Sequence, residues 1–557
     1  MSAAPQPMRV WLDDFFAAYY RRRPVNATFI GVHEYDGALP DFSARGVDET
    51  MAEMQSLHAR LRGRAVTAPE TDAEAIDAAL ADRFLTMQLW EYQPSHFQRG
   101  NPCVYTGEAI FGVIALFLRP FAPLAERVDA AVRRLDAIPA FLTGAQANVA
   151  AAPRAWTERA IRECTGALHF LGAGMDNLIA TAGVTAPHLR PAADRARTAF
   201  ADYQTFLQNT VRHHATTNYA CGAEAFAMYL HDGHELDMTG AAIEEYARDQ
   251  FVEARAALVE GATQFGVSDW RDALAQLADI HPTTGTYYRR YQETWDACRA
   301  AAVSHDLLTW PDYPIRYVPQ PTWARDAAPF LYFLFYRSPS PYDRLPFHDY
   351  LVTLVEPSMP PGEQEQRLRA TNDSVIKLNH VVHHGSIGHH VQNWHAFRAP
   401  SRVGQMAAVD CAARIAMFCG GTMAEGWSSY VVDLMGEVDF LTPLELYSQR
   451  YARMRAAARA IVDVGLHEGR LSLDDAIAFY RDEAGMPPAA ATDEAVKNAM
   501  FPGAAMIYLI GQDMIRDLRA EMAAREGSRF SLRRFHDRFL SYGSIPVTLI
   551  ARAMRES

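Results

Sequence analysis

The chain of 557 residues is 49% hydrophobic and 21% charged, so it can bury a large core. Its 66 acidic residues against 53 basic ones give a net charge of −13, scattered without long runs, which excludes the electrostatic footprint of a nucleic-acid or anionic-membrane partner. Length alone suggests several domains, but a helical enzyme of this size can form one body, and one helical domain over residues 1–557 is the expectation.

The N-terminal stretch MSAAPQPMRVWLDDFFAAYYRRRP lacks the apolar segment of a signal peptide, because Asp13 and Asp14 stand where it would lie. A cytoplasmic protein is therefore expected. Apolar residues at three-and-four spacing predict helices over 73–92, 126–150 and 241–262 and through the last hundred residues. The run IFGVIALFL (110–118) is far shorter than the roughly 20 residues that a membrane-spanning helix needs. Cys103, Cys164, Cys221, Cys298, Cys411 and Cys419 have no CxxC spacing and read as small buried hydrophobes of a reducing compartment.

Strand-like alternation is confined to PIRYVPQP (314–321) and LYFLFYRS (331–338), so the expected class is mainly α with a small β element. Pro- and Gly-rich stretches at 310–325 and 338–347 read as loops. The first would divide an N-terminal helical part, 1–310, from the part that carries the histidines, 326–557. Near the C-terminus, Thr442, Pro443 and Glu445 have the pattern of a capping box with proline at the first helical position, and that helix is expected to stop at Gly465. Ser472 and Asp475 mark a second start. On the first of these helices Arg459 and Asp463 share a face, with His467 just beyond in the same direction. They form either a structural ion pair with a histidine favoured by the helix dipole, or a group that supports a metal site from behind.

The stretch HHGSIGHHVQNWH (383–395) holds five histidines and two glycines in thirteen positions. On an ideal helix His380 and His384 lie on one face and could chelate one ion. His383 and His389 could do so only if the backbone breaks between them, and Gly385 and Gly388 supply the break. Such density in a chain without a tag pattern favours metal binding over a merely structural role.

The segment HVVHHGSIGHHVQ (380–392) resembles the His-Glu-x-x-Pro-Gly-His-His-x-Gln segment of the bacterial "domain of unknown function 885" proteins. NPCVY (101–105), EGWSSY (425–430), ARAIVDVGLH (458–467), FPGAAMIYLIG (501–511) and RFHDRFLSYGSIP (534–546) follow family segments in order. The resemblance implies a largely helical, zinc-metallopeptidase-like protein in which His383 and His389 are imidazole ligands and Glu425 is the carboxylate ligand. It also implies that Tyr430, His467 and Tyr508 line a pocket and can donate hydrogen bonds to an oxyanion. His390, Arg459, Asp463 and Lys497 are further candidates for a place behind the ligands or against the substrate. Two His and one carboxylate leave a position open for water or substrate. Core packing is the competing reading for Tyr430 and Tyr508, and a solvated helix position the one for Glu425, against which MAEGW lies between apolar runs.

The departures are as informative. The family's general-base Glu is His384 here, the Pro before the second Gly is Ile387, and an acid after the EGW segment is Val432. Family Arg, Tyr, Gln and Lys positions hold Lys497, Asn498, Ala504 and Leu509. Retained ligands with a changed base imply a different substrate or reaction on an inherited metal scaffold. The expected cofactor is one divalent ion, zinc first, with iron or manganese as alternatives. The expected activity is hydrolysis of a small amide, peptide-like or ester substrate, with His384 or a tyrosine moving the proton. A lyase, an iron-dependent oxidoreductase in which His384 or His390 joins the ligands, and a metal-binding pseudoenzyme are the alternatives.

Overall fold

The structure, a computed structural model, describes residues 7–64, 71–93, 96–183, 187–331, 339–406 and 419–556. It is mainly α, with two small parallel two-stranded sheets among the described residues. The candidate strand at 331–338 and Cys411 lie outside the described residues apart from Leu331, which closes a short helix. Chain contacts divide the molecule into two compact units: Met1–Tyr219 with Gln320–Tyr336 and Ser340–Leu345, and Ala220–Pro319 with Arg337–Pro339 and Pro346–Ser557. Residues 220–319 thus pack with the histidine-bearing half of the chain. No described helix is long and apolar enough to cross a membrane.

The first unit is organised by α1 (Pro102–Leu118), α2 (Leu124–Asn148), α3 (Arg154–His169) and α4 (Leu189–Asn209), which pack on one another. Helix α1 contains the apolar run noted above. It is buried on most sides, as expected of a helix with no polar face. Arg134 of α2 is fully buried, and its guanidinium donates to the carbonyls of Ala38 (3.0 Å) and Pro24 (3.1 Å) and to Thr28 Oγ1 (2.6 Å). It staples the N-terminal segment to the helices, because buried donors must find acceptors. Close by in sequence, His33 Nδ1 lies 3.0 Å from Asp36 Oδ2 and Nε2 2.7 Å from Asp343 Oδ1. Burial disfavours the imidazolium, but the two carboxylates outweigh it and raise its pKa to about 9.

The second unit carries the histidines. Helices α5 (Gly240–Gly261) and α9 (Pro443–His467) pack along each other, as do α8 (Gly421–Glu437) and α10 (Ile507–Glu526). The predicted capping box at Thr442 and Glu445 is present, and so is the one at Ser472 and Asp475. Helix α9 runs through to His467, past the expected stop at Gly465. A Cβ on Gly465 would sit 3.1 Å from the Leu471 Cβ, so this glycine serves close packing inside the last turn. Of the small strands, β1 (Ile315–Pro319) lies inside the predicted 314–321 stretch and pairs in parallel with β2 (His348–Val352), with Tyr317 opposite Tyr350.

The His33 clamp carries a pH prediction. A raised folded-state pKa gives stability that is present below the unfolded value near 6.5 and is lost as pH rises through about 9. The melting temperature of the wild type should therefore exceed that of His33→Gln at pH 6, and the difference should shrink towards pH 9.5. A difference that stays constant over this range refutes the clamp.

Candidate metal centre

The histidine segment does not continue as one regular helix. Residues Val375–Gly385 form α6, wound as a π-helix, and α7 (His389–Ala396) starts afresh after a turn at Ser386–Gly388. The turn requires both glycines. A Cβ on Gly385 would lie 2.1 Å from Tyr317 Oη, and one on Gly388 would lie 1.9 Å from the carbonyl oxygen of His383. Two indoles fix the turn from either side, Trp295 Nε1 donating to Gly385 O (2.8 Å) and Trp427 Nε1 to Ile387 O (3.0 Å). π-helical segments are rare and concentrate at functional sites.

The break does what the sequence spacing requires of it. His383, His384 and His389 each offer a ring nitrogen, and these three atoms lie within 4.8 Å of one another. Glu425, on α8, completes the group: its Oε2 is 3.4 Å from His383 Nε2 and 3.6 Å from His389 Nε2. These distances are too long for good hydrogen bonds, and among the described residues Glu425 Oε2 is a buried oxygen with no hydrogen-bond partner. Two donors held about 2.0–2.1 Å from one tetrahedral ion stand roughly 3.3–3.4 Å apart, so the donor set fits a shared divalent ion. His389 Nδ1 lies 3.2 Å from Gln392 Oε1. With Nδ1 as the donor there, Nε2 keeps its lone pair for the shared point. Gln392 in turn donates to Ser544 Oγ. Burial works against a charge on Glu425, yet the two imidazoles hold its carboxyl well below the usual range. Exposure is 16% for the His383 side chain against 4% for His389, so the group opens to solvent on the His383 side.

The other predicted residues lie elsewhere in the unit. His380 faces the small sheet, its Nδ1 2.9 Å from Tyr350 Oη, instead of pairing with His384. His390 stacks on Tyr313 at 4.8 Å and bonds the Tyr313 carbonyl through Nε2 at 2.7 Å. Burial lowers its pKa to about 4, so it is neutral. Tyr430 lies five positions past Glu425 on another side of α8, with its Oη 2.8 Å from His536 Nε2 and 3.2 Å from Arg519 Nη1.

Arg459, Asp463 and His467 divide into two groups. Arg459 forks onto Glu494 with bonds of 2.7 and 2.9 Å and lies 4.7 Å over the ring of Tyr508. The expected pairing of Arg459 with Asp463 is not made. Asp463 accepts instead from the backbone N–H groups of Gly503 (3.0 Å), Ala505 (2.9 Å) and Met506 (3.1 Å). Burial raises its pKa to about 7 against the pull of those donors. His467 donates through Nε2 to the Asn498 carbonyl at 2.9 Å and stacks on Phe226. Asp463 and His467 therefore hold the chain around 498–506. Lys497 is half-buried near Glu494, whose charge it helps to stabilise.

Composition and motif do not single out Gln392, although its spacing of three from His389 is a usable signal. Trp295 and Trp427 give no local signal, because their acceptors are 90 and 40 residues away.

Gly388→Ala tests the turn. The added methyl must displace the His383 carbonyl, a kind of overpacking that costs ~1–3 kcal/mol or more. The variant should unfold at lower temperature, measured by calorimetry, and a wild-type melting temperature would show that the turn does not depend on the glycine.

The fold resembles two solved structures. One, from Shewanella oneidensis, is described as a "putative lipoprotein of unknown function" and matches with 22% identity and a TM-score of 0.78 over 99% of this chain and 100% of the other. The second, from Colwellia psychrerythraea and described as a "putative lipoprotein", matches with 15% identity and a TM-score of 0.74 over 99% of this chain and 98% of the other. No curated protein matches the chain. At the level of families, "Bacterial protein of unknown function (DUF885)" matches residues 24–554.

Proposed function

The chain belongs to the DUF885 family of bacterial proteins, and on that premise we propose that it is a metal-dependent hydrolase of a small amide, peptide-like or ester substrate. The observation that carries this reading is the orphaned Glu425 Oε2 facing His383 Nε2 and His389 Nε2 at 3.4 and 3.6 Å. His383, His389 and Glu425 would hold one divalent ion, zinc first. Bound there, such an ion supplies Lewis-acid polarisation of a carbonyl and a lowered pKa for water.

The protein's own contribution starts with orientation. Gln392 fixes the ring of His389, and the Gly385–Gly388 turn fixes the distance between the imidazoles. His384 stands among the donors with its ring centroid 4.6 Å from that of His383 and 5.3 Å from that of His389. At neutral pH an imidazole can accept a proton from an attacking water and return it to a leaving group. It replaces the carboxylate of the family segment with a bulkier, more basic group, so ordinary peptides are expected to be poor substrates.

A second reading rests on the same residue. His384 belongs to the group of three ring nitrogens within 4.8 Å, so it can serve as a ligand. In that case the centre has three imidazoles and a carboxylate, and the chemistry moves towards a lyase or an iron-dependent oxidoreductase. As for compartment, the lipoprotein descriptions of the two solved relatives support an extracytoplasmic setting in place of the cytoplasmic one expected from the N-terminal sequence.

Elemental analysis with turnover assays separates these readings. The wild type should bind about one zinc ion per chain and cleave a member of an N-acyl amino acid and ester panel. His383→Ala with His389→Ala should bind none. His384→Gln should keep the metal and lose roughly 10²-fold or more in turnover if His384 moves the proton. Loss of the metal in His384→Gln would make it a ligand, and full metal in the double variant would end the proposal.

A further inference from the structure

The segment SYGSIP (541–546) returns to the histidine segment from the far end of the chain. Its backbone is pinned around Ser544. Gly543 takes a φ of +80°, and a Cβ there would lie 2.7 Å from that of Ala399, so glycine is required. The Ser544 N–H donates to the Gly404 carbonyl (3.1 Å), and the Val547 N–H donates to Thr422 Oγ1 on α8 (3.3 Å). The fully buried Ser544 side chain is thereby set between Gln392 and α8.

Among the described residues Ser544 Oγ has two partners, Gln392 Nε2, which donates to it, and Met423 Sδ at 3.8 Å. A thioether carries no proton and can only accept, so Met423 draws the single hydroxyl proton of Ser544. Oγ is left to accept, and the group that donates to it is the amide NH2 of Gln392. That turns Gln392 Oε1 towards His389 Nδ1, 3.2 Å away, where an oxygen bonds only to an Nδ1–H. With the proton on Nδ1, Nε2 keeps the lone pair that a ligand needs. The opposite direction would spoil the centre. An amide turned over would accept from Ser544, donate to Nδ1 and leave the imidazole proton on Nε2, where it blocks a cation. It would also strand the buried Met423 without its donor and hold the Nε2–H 3.6 Å from the Glu425 carboxylate, too far for a good bond.

We propose that Met423 and Ser544 are positioning residues for His389: acting through Gln392, they fix which of its ring nitrogens carries the proton, and so prepare the centre for a cation before one arrives. Met423 stands two residues before Glu425 on α8, so the helix that supplies the carboxylate also sets the polarity of the imidazole facing it. Their service to a metal site rests on the reading of His389 as a ligand given above, and not on hydrolysis.

Zinc titration of the full chain, with nitrogen NMR of the histidine-labelled, metal-free protein, tests the relay. In the wild type the His389 resonances, assigned by their loss in His389→Gln, should show the proton on Nδ1. Met423→Leu conserves volume and removes only the acceptor. It should move the proton to Nε2 and weaken zinc binding about tenfold or more, as loss of a ligand's support does. Ser544→Ala should weaken zinc binding likewise. Gln392→Glu places a carboxylate beside Nδ1, and because a carboxylate can only accept, adding Met423→Leu to that variant should change neither the proton's position nor the affinity. A proton on Nε2 in the wild type, or wild-type zinc affinity in Met423→Leu, would overturn the relay. An equal loss of affinity from Met423→Leu with and without Gln392→Glu would reduce Met423 to packing and overturn it too. A wild type that binds no zinc, with the proton still moving from Nδ1 to Nε2 in Met423→Leu, would uphold the relay and remove the metal reading alone.

Discussion

A side chain at position 388 would collide with the carbonyl oxygen of His383, and from that steric fact the rest of the centre follows. Only glycine lets the chain leave one helix and enter the next within three residues while passing so close to its own backbone. The consequence is that His383 and His389, too far apart in sequence for one helix face, meet at a single point. A regular helix through the same sequence would send them to different sides. The π-winding of the preceding segment and the indole bonds of Trp295 and Trp427 hold the turn against relaxation.

Position alone does not make a metal site; the charge has to be placed as well. Glu425 is supplied by a different helix, and its burial would be prohibitive without cations or dipoles to face. The two imidazoles meet part of that need, at separations suited to sharing an ion and poorly suited to hydrogen bonds.

Helix α9 secures a further part of the same unit. It carries Arg455 and Arg459 on one side and, further along, Asp463 and His467, which secure the chain around 498–506 by backbone bonds. The segment that starts α10, and with it Tyr508, is thus anchored by the helix that also carries Arg459. Removing the Asp463 carboxylate would strand three backbone donors for that reason.

The sequence by itself determined the class of fold, because helical periodicity and capping boxes are local properties that need no partner. It also determined the ligand candidates on the histidine segment, since the glycines between His383 and His389 are legible as a break. Spacing could not decide which histidines point where. His380 and His384 are as well spaced as any pair, yet His380 is turned aside by Tyr350 from a strand 30 residues earlier. Nor could it pair Arg459, whose neighbour at four positions, Asp463, loses it to Glu494 on another helix. Those choices are made by long-range contacts between elements, where burial forces each charged or polar group to take the best partner in space, and sequence distance has no bearing on the result.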